Sequence, residues 1–344
     1  MKLKEVKKIL IINLGGIGDL LLSLASVRAL RGAYRGAVID IMVVEHAGEF
    51  VRTSGLFDGI YLYKACIPKN LSLFFSLRRN RYDLAINMRT MVSAFGALKM
   101  YILLKAINGK IWAGRDTNGY GRFFDIRIPE TWRGDKYEME YDIELAEKLG
   151  AEIEDRSVSF RVGPECAGVV DGLLKAANIS GGDIVVGIHP GGKPSRRWPL
   201  ENFAEVMLKI NGAAACTFVI TGDEEDAYLA GKLAGIPGVK AVNMAGVLSL
   251  EELGALMKRC SLFISNDTAA MHIAAALKVP LVAIFGPGNL KRFDPRNILK
   301  DAVVIFKETA CAPCERKSCR KMKCLKTIAP DEVVNAALKL LKAI

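Results

Sequence analysis

No apolar run in the 344 residues approaches the roughly 18 needed to cross a bilayer, so no spanning helix is expected. The basic stretch Met1 to Lys8 runs into Ile9 to Ile12, but Gly15, Gly16, Gly18 and Asp19 interrupt it before it can form a signal peptide. A cytoplasmic protein is expected. Glycine (32) and proline (12) are too few for a low-complexity or collagen-like chain, and no short-period repeat is visible. Eight cysteines are few for this length, yet four of them, Cys311, Cys314, Cys319 and Cys324, crowd into fourteen residues. Acidic residues are in deficit as well: 37 Asp and Glu against 48 Lys and Arg leave a net charge of +11, which favours an anionic partner.

The composition that remains is 51% apolar and supports a substantial core. Single cores stop growing near ~250 to 300 residues, so two domains are expected. Ile9 to Asn13 reads as a strand, Leu20 to Leu30 as a helix, and strands follow at Val38 to Val44 and Leu84 to Asn87. Phe95 to Ile107 is an apolar segment carrying Lys99 and Lys105, and Asp116 to Trp132 dissolves into Gly, Arg and aromatics, predicting exposed loops. From Ile184 a second alternation begins, with strands at 184–188, 217–221, 262–265 and 281–285 and helices at 200–211, 224–233, from 250 and at 269–277. Ser249 and Glu252 predict a capping box. The expected layout is 1–165, 166–327, and a terminal helix within 328–344 returning to the first domain.

Several constellations stand at strand ends. Gly15, Gly16, Gly18 and Asp19 lie between a strand and a helix, suited to a phosphate, to a catalytic carboxylate, or to a plain helix cap. A dinucleotide fingerprint would need another glycine where Leu21 stands. His189, Pro190, Gly191 and Gly192 end a strand, and Lys193, Arg196 and Arg197 follow, with Trp198 expected to anchor the loop by packing. Asn266, Asp267 and Thr268 precede a helix bearing Ala269, Ala270 and His272, whose free amides suit an anionic leaving group. His272 reads equally as a core histidine. Gly222 to Asp226 offer carboxylates to a ribose or form a solvated helix start. Asp-x-Asp is absent, so charge on a diphosphate must be met by cations and amides, favouring metal-independent transfer. The four clustered cysteines offer a metal site or a plain structural loop, with Lys317, Arg320, Lys321 and Lys323 making it basic.

Leu14 to Asp19, His189 to Pro199, and Ser265 to Thr268 with Met271 and His272 together resemble glycosyltransferase family nine, the bacterial ADP-heptose:lipopolysaccharide heptosyltransferases. The resemblance implies a GT-B fold of α/β class, with two Rossmann-like domains facing a cleft, acceptor on the first and donor on the second. It implies inversion at the heptose anomeric carbon, with Asp19 as general base and Arg196, a departure if lysine is expected though either cation can serve, as the diphosphate cation. Gly16, Gly18, Gly191, Gly192, Lys193, Arg197, Asp267, Thr268, Ala269 and His272 would serve the ADP-heptose donor, with Glu224 or Glu225 on the ribose and Leu248 near adenine. Asn87-Met88-Arg89 departs from the family's Asp-Leu-Gln, so either Arg89 pairs with an anionic group of a glycolipid acceptor or the acceptor differs from the family's. No cofactor is required, and the excess of cations suits peripheral placement at the inner membrane face. A nicotinamide oxidoreductase and a nucleic-acid-binding protein with a Cys metal module are the rival readings; the missing glycine weighs against the first. The Cys loop lacks interleaved aromatics, and no nucleic-acid partner is expected.

Overall fold

The computed structural model describes residues 3–64, 67–314, 316 and 318–343, so Cys66 and Lys317 lie outside the described residues. The chain divides into two compact units, Met1–Val158 and Ser159–Ile344. In the first, β1 (Lys8–Asn13), α1 (Ile17–Ala33), β2 (Val38–Val44), α2 (Gly48–Ser54), β3 (Gly59–Tyr63) and α3 (Leu71–Asn80) lead to β4 (Leu84–Asn87). Then come α4 (Ala94–Ile107), β5 (Ile111–Thr117), β6 (Ile126–Glu130) and α5 (Glu138–Lys148). The six strands are all parallel, in the order β3-β2-β1-β4-β5-β6. Ile9, Leu10, Ile11 and Ile12 of the central strand are wholly buried, as expected of a parallel strand covered on both faces.

The second unit begins with α6 (Pro164–Ala176), β7 (Val185–His189), α7 (Leu200–Ala213), β8 (Thr217–Ile220), α8 (Ala227–Ala234) and β9 (Ala241–Asn243). It continues through α9 (Leu250–Arg259), β10 (Leu262–Asn266), α10 (Ala269–Ala276), β11 (Leu281–Phe285), α11 (Leu290–Phe293), β12 (Val303–Phe306), α12 (Lys323–Lys326) and α13 (Pro330–Leu341). Its parallel order, β12-β11-β10-β7-β8-β9, repeats that of the first unit. Both are the doubly wound nucleotide-binding order, in which the connection reverses direction between the first and fourth strands. The α/β class and the two Rossmann-like units are as expected. The capping box is present: Ser249 Oγ accepts from Glu252 N–H, and Glu252 accepts from Ser249 N–H at 2.7 Å. Trp198 is buried with its ring edge-on to Phe203.

Two expectations need correction. Asp116 to Trp132 is loop only in part: the end of β5 and all of β6 run through it, and Thr117 and Glu130 are turned into a buried network. The terminal helix, expected with the first domain, belongs to the second unit, where α13 packs on α7 and Val333, Val334 and Ala337 complete the core. Among the described residues no helix is long and apolar enough to cross a membrane.

The buried network centres on Arg115 of β5, which is fully buried and faces three carboxylates: Glu138 at 2.7 Å, Asp142 at 2.5 Å and Glu130 at 3.3 Å. Thr117 and Thr90 donate to Glu130, and Met91 N–H donates to Thr117, so the loop after β4 hangs from this cluster. Burial, reinforced by Glu138 and opposed by Arg115, pushes the Asp142 carboxyl up to about 7. Folding therefore favours its protonated form: that contribution is complete below the ordinary value of 3.8 and is lost as pH rises through about 7. Asp142→Asn, which mimics the protonated acid, should raise the melting temperature relative to the wild type at about pH 8 and change it little at about pH 4. Arg115→Met, which strands three buried carboxylates, should cost about 3–5 kcal/mol or prevent folding. Denaturation curves across pH decide both; identical pH dependence in Asp142→Asn and wild type would contradict this account.

Candidate active site

In the first unit the strand order reverses between β1 and β4, and the loops after these two strands meet there. Asn13 Oδ1, at the end of β1, accepts from Gly15 N–H at 3.2 Å and turns the chain into α1. Asp19 lies in the first helical turn, where Gly16 N–H donates to one carboxylate oxygen at 2.9 Å. This is one half of a capping box, since Gly16 has no side chain to return the bond. The other oxygen of Asp19 lies 2.6 Å from the Arg89 guanidinium. Asn87 holds Arg89 from both sides of its backbone, accepting from its N–H and donating to its carbonyl. A Cβ on Gly15 would stand 2.7 Å from that guanidinium, so glycine there makes room for the ion pair. Gly18 is inside the first turn of α1. Burial disfavours the Arg89 charge, but Asp19 and then Glu138 outweigh it and hold the guanidinium pKa above its ordinary value. Both side chains stay partly accessible, Arg89 at 30% and Asp19 at 21%.

The second unit repeats the arrangement between β7 and β10 with the charges exchanged. Arg196, after β7, lies 2.8 Å from Asp267, after β10, and Asp267 is almost wholly buried. Asn266 fixes the two loops together: its amide donates to the carbonyls of Pro190 and Gly191, and its carbonyl accepts from Trp198 N–H. Arg197 turns the other way, donating to the Gly192 carbonyl at 2.6 Å and to the buried Asp226 at 2.9 Å. Asp226, which the sequence places among acceptors for a ribose or in a solvated helix start, is thus an internal brace. Burial first, then Asp223, raises its carboxyl against the pull of Arg197. A Cβ on Gly191 would collide with Asp226, and one on Gly288 with Asp267. Gly192 has φ +107°, a conformation reserved for glycine, and packs on Thr268.

Thr268 caps α10 without a side-chain hydrogen bond, so the first amides of that helix, beginning at Ala269, lack intrahelical partners and carry the positive end of its dipole beside Arg196. Lys193 is exposed on the same loop. Glu224 and Glu225 are exposed after β8, and Gly246, at φ +74°, lets the loop bearing the half-buried Leu248 approach the Glu224 backbone. His189 is buried and shares a hydrogen bond between Nδ1 and Thr221; burial lowers its pKa to about 4, so it is neutral near pH 7. His272 is buried, with Phe293 edge-on at 6.2 Å. The thiols of Cys311, Cys314, Cys319 and Cys324 are free, and burial first, then the other three thiols, pushes the Cys324 thiol up. Among the described residues the group of possible ligand atoms within 4.8 Å of one another is Glu165, Cys166 and Glu251.

Sequence reasoning located Asp19, Arg89, Arg196 and Asp267 but not their pairing, and it missed Arg115, Glu130, Glu138 and Asp142. The available signal for the last two was their i,i+4 spacing on a helix stripe shared with buried Tyr141 and Leu145.

The sequence profile of Glycosyltransferase family 9 (heptosyltransferase) matches residues 70–325. Lipooligosaccharide heptosyltransferase 2 of Campylobacter jejuni serotype O:2 is 30% identical over 168 residues, 47% of this chain and 52% of that protein. The match thus spans about half the length of that relative. Lipopolysaccharide heptosyltransferase 2 of Escherichia coli K12 is 25% identical over 82% of this chain and 83% of its own length. The crystal structure of a family 9 glycosyl transferase from Veillonella parvula superposes with a TM-score of 0.79 at 22% identity, covering 100% of this chain and 99% of that one. With the profile lying across α3 to α12, about three quarters of the sequence, the chain belongs to glycosyltransferase family 9, the heptosyltransferase family.

Proposed function

We propose that this chain is an inverting, metal-independent glycosyltransferase that moves a heptose from ADP-heptose to a lipopolysaccharide core acceptor on the cytoplasmic side of the inner membrane. The observation that carries the reading is the division of chemistry between the two switch points: a partly accessible carboxylate in the first unit, a cation beside a helix N-terminus in the second. The names of the relatives support the sugar and the acceptor class.

In this mechanism Asp19 accepts the proton of the acceptor hydroxyl as its oxygen bonds to the anomeric carbon. The bond from that carbon to the diphosphate breaks with its electron pair, and ADP departs from the opposite face. Arg196 and the first amides of α10 meet the charge that develops on the diphosphate, which is the larger catalytic effect in such preorganised sites. Arg89 aims the Asp19 carboxylate, and its remaining guanidinium nitrogens are available to an anionic group on the acceptor. Glu224 or Glu225 with Leu248 would receive the nucleoside, in keeping with their exposed loops.

Asp19→Asn keeps an oxygen for Gly16 N–H, so stability should change by no more than about 1 kcal/mol while kcat falls at least ~10²-fold. Transfer above about a tenth of the wild-type rate in the folded variant would remove Asp19 as the base. Arg196→Ala should raise the donor KM and lower kcat together, since a charge-assisted contact worth about 1.5–3 kcal/mol acts in both ground and transition states. Unchanged kinetics would pass that role to Lys193. Transfer should also persist in excess EDTA, and abolition reversed by Mg²⁺ would overturn metal independence.

A further inference from the structure

Of the 14 large apolar side chains exposed among the described residues, seven fall between Leu71 and Ile102, on α3, α4 and the loop between β4 and α4. Leu71 and Phe75 are one turn apart on α3, at 57% and 66% exposure. Phe95, Leu98 and Ile102, at 66%, 53% and 56%, form an i, i+3, i+7 stripe on α4, and Val92 precedes it at 67%. The other side of α4, with Ala97, Met100, Leu104 and Ile107, is the side that fills the core. A helix that is apolar on both sides is ordinarily covered on both. The two helices pack side by side, tied by Arg78 donating to the Ala106 carbonyl, so their exposed residues belong to neighbouring surface.

The charge around this face has one sign. From Gly59 to Arg115 the sequence has ten Lys and Arg against a single acid, Asp83. Asp83 is buried and occupied by Lys110 and by the amides of Lys7 and Lys8. Arg78, Arg79, Lys99 and Lys105 are exposed, and Lys99 folds its ammonium over the Phe95 ring at 4.3 Å. We infer that the α3/α4 face docks on an anionic phospholipid bilayer, seating Phe75, Phe95, Leu98 and Ile102 at the acyl boundary while the cations meet phosphate headgroups. That is the composition of an interfacial helix with cations reaching toward the headgroup layer. A second copy suits the face poorly, because a two-fold contact sets the same patch against itself and would oppose like charges with no acid to pair them. The loop from Arg89 to Ser93 joins this face directly to the guanidinium that holds Asp19. The bearing of docking on catalysis rests on the proposed lipid-linked acceptor, but docking itself does not.

The test is cosedimentation of the full chain with vesicles of phosphatidylcholine alone or with about a third phosphatidylglycerol, at low salt and at about 0.5 M salt. Wild type should pellet at least about tenfold better with the anionic vesicles, and less so in high salt. Phe95→Ser with Ile102→Ser, and separately Lys99→Glu with Lys105→Glu, should each cut binding by about tenfold or more. Both pairs should keep the wild-type melting temperature and its stabilisation by ADP, measured in the same samples. Absence of anionic-vesicle binding by wild type, or wild-type binding by both folded variants, overturns the inference. A concentration-dependent dimer in light scattering that the Phe95/Ile102 pair abolishes assigns the face to self-association and also overturns it. Failure of ADP-heptose transfer with vesicle binding intact would count against the proposed activity and leave docking standing.

Discussion

Each unit depends on an arginine–aspartate pair placed where its sheet reverses direction. A doubly wound sheet leaves a crevice at the carboxyl ends of its first and fourth strands, because the crossovers from those strands depart to opposite faces. In this chain the crevice is bridged by charge, Asp19 to Arg89 in the first unit and Arg196 to Asp267 in the second. The acid comes from the first-strand loop in one unit and from the fourth-strand loop in the other. At the second switch point only the guanidinium keeps appreciable access, whereas at the first both charges do. Around both pairs an asparagine at a strand end, Asn87 or Asn266, fixes the loop backbone, so the charged side chains are aimed by buried hydrogen bonds.

The first pair is held in turn by the Arg115 cluster. Thr90 and Met91 attach the Arg89 loop to Glu130 and Thr117, and Glu138 adds to the field that keeps Arg89 charged. Burying three carboxylates on one guanidinium is a poor source of stability. It does set the position of α5 against the ends of β5 and β6, and with it the position of the loop that reaches Asp19.

The central strands were legible because full burial on both faces writes an uninterrupted apolar run, as in Ile9 to Asn13, Val38 to Val44 and Leu281 to Phe285. The edge strands β3, β9 and β12 are only half buried, and β5 and β6 carry charged residues into the interior, so neither group shows that pattern. Site residues were legible as polar groups between strand and helix. Their partners were not, since Arg89 and Asp267 each lie about seventy residues from the charge they meet, a separation that local pattern does not encode. Gly15 and Gly191 read as space for a ligand to approach, and each also makes room for a charged side chain of the chain itself, Arg89 and Asp226, as Gly288 does for Asp267.

The place of α13 bears on how the protein is made. Val333, Val334, Ala336 and Ala337 are part of the second unit's core, packed with residues as early as Val186. That core is incomplete until synthesis has passed Leu341, whereas the first unit has all its strands and helices by Lys148. At about 5–20 residues per second the two events are separated by roughly ten to forty seconds. Until α13 is made, the core of the second unit lacks the side chains that this helix adds to it. The second unit therefore closes only with its last helix, whereas the first holds all its elements well before the chain is finished.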